Sequence, residues 1–396
     1  MTTSSIDELA LSLQPHYRHF DVANRLLLSG HSHQAWPDVA LEGMQEAFWD
    51  AARYVDEKWE RAFSKTEVLR SYLRTFYDDP TGRYTVSQNT HDVLIRLLSS
   101  FNWNPGRIIT TDGEFHTVYR QTQRLEEEGV RVDRISSLPT DQLYAHLEKA
   151  LATPATVVII SRVFFMNALI VHDLPKIAAL CRDKKVPLII DDYHGTNVVP
   201  LSLRATEMED TFWLIGGYKY LQWGEGNCFL RFPQECSLRP VITGWFSSFG
   251  SLSADREKTG IRYDDGDNLF LGGTYDPVSQ YRAARVVEFF QHMGLTPERL
   301  QQQYRAQVHY LRELFTSLDL PKTSIQLKHT VSADQTGGFV ALESAHAGLI
   351  RTKLLEHGVF TDYRNQTLRM GVAPYLSTAQ IEEAMLTLKR VVLYLK

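Results

Sequence analysis

The chain predicts an α/β fold, with a large domain built on a mostly parallel sheet and a small α+β domain at its C-terminal end. Three observations carry this. Apolar runs of strand length alternate with amphipathic stretches from Arg83 to Phe232, the signature of repeated strand–helix–strand units with right-handed crossovers. Two of those runs, Leu188–Ile190 and Phe212–Ile215, empty into polar and glycine residues instead of continuing. A long helical stretch, Pro277 to Leu318, then gives way to shorter strand and helix signals. The expected division is an arm and following loop at 1–40, a large domain at 41–285 and a small domain at 286–396.

Taken in order, the arm carries a short helix, Ile6–Leu13, and a strand-like run ends near Leu28. Helical periodicity covers Asp38 to Ala62, and a second amphipathic helix covers Lys65–Phe76, before the turn Asp78-Asp79-Pro80-Thr81-Gly82. Strands are predicted at Arg83–Val86, Arg107–Thr111, Val130–Ile135 and Ala155–Ile160, with helices at His91–Ser100, Thr117–Glu128, Asp141–Leu151 and Asp173–Lys185. In the small domain, strands are expected at Ile325–Leu327, Gly338–Leu342 and Val359–Thr361, with a helix at Leu349–His357. A final strand starts at Arg369, before a helix capped by Ser377 and Thr378.

With 396 residues, 43% of them hydrophobic, the chain can bury one large core and a smaller one. A formal net charge of −5 argues against a nucleic-acid surface built on bulk positive charge. Cys181, Cys228 and Cys236 lack metal-ligand spacing and cannot all pair. The first twenty residues hold no apolar signal core, and no run reaches membrane-spanning length. The expectation is a soluble cytoplasmic protein with no membrane or nucleic-acid partner.

In an α/β sheet, ligands sit beyond the carboxyl ends of the strands. Two strands deliver Asp191, Asp192 and His194, and Lys219 between Tyr218 and Tyr220, to that edge. On residue type alone, Asp-Asp reads as a turn and the lysine as a solvated loop residue. Together, a carboxylate, an imidazole and an amine meet the needs of pyridoxal phosphate chemistry: the amine forms an imine with the aldehyde, and the acid keeps the pyridine nitrogen protonated. Small polar residues opening a helix at Asn89 and Thr90 make a phosphate site, or serve as ordinary caps. His31 and His33, two apart on a strand, share a face but supply only two ligands, so no metal is expected.

The segment Asp191-Asp192-Tyr193-His194, with Gly217-Tyr218-Lys219-Tyr220-Leu221, resembles the D-x-x-H and S-Y-K-Y-L motifs of class V, fold-type I pyridoxal phosphate enzymes, and of kynureninase in particular. Gly30, Ser32 and Pro37 fall on that family's G-N-S-L-G-L-Q-P loop, and Gly244-Trp245-Phe246 on its G-W-F. Phe270-Leu271-Gly272-Gly273-Thr274 resembles the class V motif that reaches the phosphate of a neighbouring subunit, and Arg369-Met370-Gly371-Val372-Ala373-Pro374 resembles the family's end.

The resemblance implies a seven-stranded, mostly parallel sheet and a homodimer with active sites at its interface. By resemblance, Lys219, Asp191 and Tyr218 are catalytic. Asn89, Thr90, Tyr218, Trp245 and Thr274 hold the phosphate, Phe115 or His116 stacks on the ring beside His194, and Asn167 or Ser161 serves its edge. Arg369 grips the substrate α-carboxylate through its guanidinium fork, with His31, Ser32, His33 and Ser248 at the substrate end.

The implied function is action on an α-amino acid through an external aldimine and a quinonoid, with kynureninase-like C–C or β-cleavage. The alternatives are class V transamination and a non-catalytic pyridoxal-binding protein. No cysteine follows Cys236, so a desulfurase lacks its thiol. Ser248 stands where kynureninases carry a histidine and Thr274 where they carry an asparagine, both on the aryl side. A substrate other than kynurenine follows.

Overall fold

The computed structural model describes residues 3–251 and 260–395. Seven strands form the large sheet: β1 (Arg83–Ser87), β2 (Arg107–Thr111), β3 (Arg131–Ile135), β4 (Val157–Ser161), β5 (Leu188–Asp191), β6 (Phe212–Gly216) and β7 (Cys228–Phe232). Their order is β1-β7-β6-β5-β4-β2-β3. β7 runs antiparallel to both neighbours, and the other pairings are parallel. The mostly parallel sheet expected from the alternation is present.

β4, β5, β6 and β7 are buried along their whole length, as strands covered on both faces must be. The two-residue period splits their side chains between two cores. Ile109, Val158, Ile160, Ile190 and Trp213 pack in one, while Ile108, Val157, Ile159, Ile189 and Leu214 pack in the other. Helices Thr90–Leu98, His116–Glu127, Leu143–Ala150 and Leu174–Asp183 connect the strands. The carboxyl ends of β2, β4, β5 and β6 therefore open on one edge, where the chain leaves the sheet through polar residues.

Two helical boundaries differ from expectation. The stretch 38–62 is two helices, Val39–Tyr54 and Lys58–Phe76, broken where Val55 takes a φ of 52°. The break lets Val39–Tyr54 lie along Val278–His292 so closely that a Cβ on Gly43 would stand 2.5 Å from the Tyr281 carbonyl oxygen. Likewise 277–318 divides into Val278–His292 and Pro297–Ser317, with Gly294 at positive φ and Thr296 capping the second helix.

Toward the C-terminus, β8 (Gln326–Leu327), β9 (Phe339–Glu343), β10 (Asp362–Arg364) and β11 (Thr367–Gly371) form an antiparallel sheet in the order β10-β11-β9-β8. Arg369 stands in the middle of β11 instead of starting it. Sequence reading missed β10, whose hairpin turns at Asn365-Gln366 with Asn365 at φ 51°, a conformation asparagine tolerates. That turn sets Asp362 opposite Arg369. Leu26–Leu27 pairs with Val359–Phe360, and the Gly30 N–H reaches the Gly371 carbonyl, tying the early loop to this sheet.

Among the described residues no helix is long and apolar enough to cross a membrane, and no group of three or more His, Cys, Asp or Glu side chains could hold a metal ion.

Candidate active site

A cavity of about 160 Å³ opens at the carboxyl edge of the large sheet, lined by Asn89, Thr90, Phe115, Asp191, His194, Tyr218 and Lys219 among others. Strand geometry puts Asp191 there. It is the last residue of β5, and its carboxylate accepts the Tyr193 N–H at 3.0 Å. Burial pushes its pKa up to about 6, against the opposing pull of Lys219.

Lys219 follows β6, and the residue is 6% exposed. Its Nζ lies 2.6 Å from His194 Nε2, with the Tyr193 ring centroid 4.7 Å away and that of Phe115 5.6 Å away. Burial lowers the lysine pKa to about 7, so much of the amine is free to act as a nucleophile at neutral pH. His194 is driven well below its usual value, by burial first and by Lys219 next. Its Nδ1 has no protein partner, which leaves a buried polar atom available to a group in the cavity.

At the other end lies the N-terminus of helix Thr90–Leu98. Asn89 caps it, its Oδ1 accepting the Asp92 N–H at 2.9 Å. The side chain is thereby committed to the cap, and what the cavity can draw on is backbone N–H and the Thr90 hydroxyl, an arrangement suited to an anion. Phe115 forms a wall. His116 sits behind it, 5.4 Å from the Phe115 ring and 5.7 Å from Phe165, and does not line the cavity.

Other expected residues stand elsewhere. His31 is fully buried, and its Nε2 donates to Asp362 Oδ1, 2.9 Å away. Burial lowers its pKa to about 4, so it is a neutral ring donating a proton to the carboxylate and not a charged partner. His33 is exposed and stacks on Tyr218 at 4.8 Å; Ser32 Oγ bonds to it at 3.2 Å. Asn167 is turned to the Leu169 N–H, whereas Ser161 lines the cavity. Trp245, Ser248 and Thr274 are not among its lining residues. Trp245 is 46% exposed and Thr274 is exposed.

Arg369 is buried, but its fork is not free. Nε and Nη2 both pair with Asp362, the first at 2.8 Å, and Nη1 donates to the Phe165 carbonyl at 2.6 Å. Sequence reading missed Asp362. The signal was available: a two-residue loop at Asn365-Gln366 puts positions 362 and 369 opposite each other.

Glu114 was missed too. It accepts from Ser161 Oγ at 2.5 Å, Ser161 N at 3.1 Å and Thr111 Oγ1 at 2.6 Å. Burial pushes its pKa up to about 7. An acid just past a strand end was its only mark in the sequence.

Residues 300–388 match the kynureninase C-terminal domain family. The chain is 24% identical to a kynureninase of Bacillus cereus over 225 residues, 56% of this chain and 51% of that protein. It is 25% identical to a mitochondrial cysteine desulfurase of Arthroderma benhamiae over 193 residues, 47% of this chain and 38% of that one. It thus spans about half the length of the kynureninase it matches. Among solved structures, a cysteine desulfurase from Thermococcus onnurineus superposes with a TM-score of 0.80 at 16% identity, covering 97% of this chain and 98% of that one. A cystine C–S lyase in complex with cysteine persulfide superposes at 0.79 and 18% identity, covering 93% and 98%. The chain thus has the fold of these solved enzymes, and its residues 300–388 are similar to the kynureninase C-terminal domain.

Proposed function

We propose that the cavity binds pyridoxal 5′-phosphate on Lys219 and that the protein acts on an α-amino acid, by kynureninase-like C–C or β-cleavage on a substrate other than kynurenine. The observation that carries this reading is a buried, readily discharged amine at Lys219 sharing one cavity with Asp191 and a helix N-terminus. The unpartnered Nδ1 of His194 fits a ligand in the same space.

When bound, the cofactor supplies an aldehyde for the amine and a protonated ring that draws electrons from the substrate Cα. Asp191, its carboxylate already at the strand end, would pair with the ring nitrogen. Phe115 would face the ring, with His116 bracing it from behind. The phosphate end falls to the Asn89 and Thr90 backbone, the Thr90 hydroxyl and Tyr218. Lys219, once displaced, removes the Cα proton, with His194 Nε2, 2.6 Å from Nζ, placed to orient the amine. Ser32, His33 and Ser248 are assigned to the substrate end, and Trp245 and Thr274 to the cavity of a second copy. Their exposure outside this cavity supports a homodimer, as do Leu41, Met44, Phe48 and Trp49, all exposed on one helix.

Transamination uses the same residues and differs in the fate of the proton. β-Cleavage draws support from the structural likeness to a cystine C–S lyase, and from the lack of any cysteine after Cys236.

The test is direct. Protein purified with pyridoxal phosphate should absorb in the visible, and borohydride should fix the cofactor to the Lys219 peptide. A screen of α-amino acids read for alanine, keto acid and ammonia then separates C–C cleavage, transamination and β-elimination. A preparation that stays colourless sinks the reading.

A further inference from the structure

The family resemblance assigns Arg369 to a substrate carboxylate, yet a carboxylate of the chain itself, Asp362, already pairs with it. Asp362 meets Nε and Nη2 side by side, the geometry by which a guanidinium recognises a free carboxylate. The clamp is built, not incidental. The hairpin register sets the two residues opposite each other, the buried His31 ring donates from Nε2 to the same Asp362 oxygen that meets Arg369 Nε, and the Phe165 carbonyl occupies Nη1. Phe165 also lines the cavity, and its ring centroid lies 5.9 Å from the Arg369 guanidinium carbon. The pair therefore stands one side chain away from the reacting centre.

Asp362 also borders solvent and a second cation. Its side chain is 17% exposed, and Arg364, 44% exposed, already places Nη1 3.8 Å from Asp362 Oδ2. A second cation thus waits on the solvent side.

We propose that Asp362 is an internal occupant of the carboxylate clamp, which the substrate α-carboxylate displaces toward Arg364 on binding. This rests on the reading that the cavity handles an α-amino acid. In consequence the α-carboxylate contributes little net affinity, because one charge-assisted pair is exchanged for another, and the selection of substrate falls to its side chain.

The test compares binding and not turnover. In the protein loaded with pyridoxal phosphate, spectral titration should give L-alanine and ethylamine affinities within about tenfold of each other, the carboxylate gaining less than one full charge-assisted bond. Asp362→Asn keeps the shape and the Oδ1 acceptor for His31, but removes the negative charge and the oxygen that Arg369 Nη2 meets. L-Alanine should then bind tighter on the order of 10–100-fold, the value of one charged hydrogen bond, with ethylamine unmoved. In the cofactor-free protein, propionate should raise the melting temperature of Asp362→Asn more than that of the wild type. Unchanged or weaker alanine and propionate binding in the variant overturns the proposal. Should the variant not fold, a wild-type preference for alanine over ethylamine of about 100-fold or more overturns it, and near-equality supports it. A protein that takes up no pyridoxal phosphate, yet gains propionate binding in the variant, sinks the cofactor reading and leaves the clamp standing.

Discussion

Asp191 and Asp192 are consecutive and both buried, and they face opposite ways. Asp191 lines the cavity beside Lys219, while Asp192 turns into the protein, where Arg162 grips it at 2.6 and 2.9 Å and the Tyr77 hydroxyl donates to it at 2.6 Å. The alternation of side chains at a strand end explains the split.

Their variants should separate accordingly. Asp192→Asn leaves Arg162 buried without its countercharge and should cost about 3–5 kcal/mol in urea unfolding. Asp191→Asn should unfold close to wild type, while turnover of whichever amino acid proves to be the substrate falls on the order of 10²–10³-fold, as when one electrostatic partner of a developing charge is removed. Equal effects on stability would contradict the assignment.

The buried amine has a signature in stability against pH. Its pKa in the folded, cofactor-free protein is lowered to about 7, below the ordinary lysine value of about 10.4. Between these two values the unfolded chain carries a proton that the folded chain lacks. Stability contributed by this group therefore rises with pH across that window and is lost as pH falls toward 7. Urea midpoints at pH 7 and pH 9 should show this rise in wild type, and Lys219→Met should remove that share of it. An identical pH slope in the variant would place the amine in solvent.

Phe48 and Trp49 are 65% and 66% exposed on helix Val39–Tyr54, an apolar display that a second copy would cover. Wild type should sediment as a dimer. Trp49→Glu should shift it toward monomer and lower cofactor-dependent activity with it, given that Trp245 and Thr274 are assigned to the neighbouring cavity. A monomeric wild type with full activity would remove the homodimer from the proposal.

By the resemblance to kynureninases, Ser248 and Thr274 stand where that family carries a histidine and an asparagine on the aryl side. Wild type should turn over kynurenine poorly. Joint replacement, Ser248→His with Thr274→Asn, should raise kcat/KM for kynurenine about tenfold or more, the worth of one good polar contact. No gain would mean that the substrate is refused elsewhere in the cavity.

Much of the architecture was legible in the sequence because its determinants are local. Val157–Ser161 and Phe212–Gly216 are apolar on both faces, which is what a buried parallel strand requires, and the polar residues after them mark the ligand edge. The motifs around Asp191 and Lys219 pointed to the chemistry for the same reason: each sits within a few residues of a strand end. The Val55 break was not legible. The break accompanies the close packing of Val39–Tyr54 on Val278–His292, a neighbour more than two hundred residues away.

By itself, then, the sequence determined the α/β class, the strand ends and which residues could carry an imine, a ring proton and a phosphate. Only the tertiary structure decided that Asp192 belongs to Arg162, that His31 is buried away from the cavity, and that Asp362 fills the fork of Arg369. Residue type declares what a side chain can bind. Which partner reaches it first depends on register and burial, and those are set by contacts between segments distant in the chain.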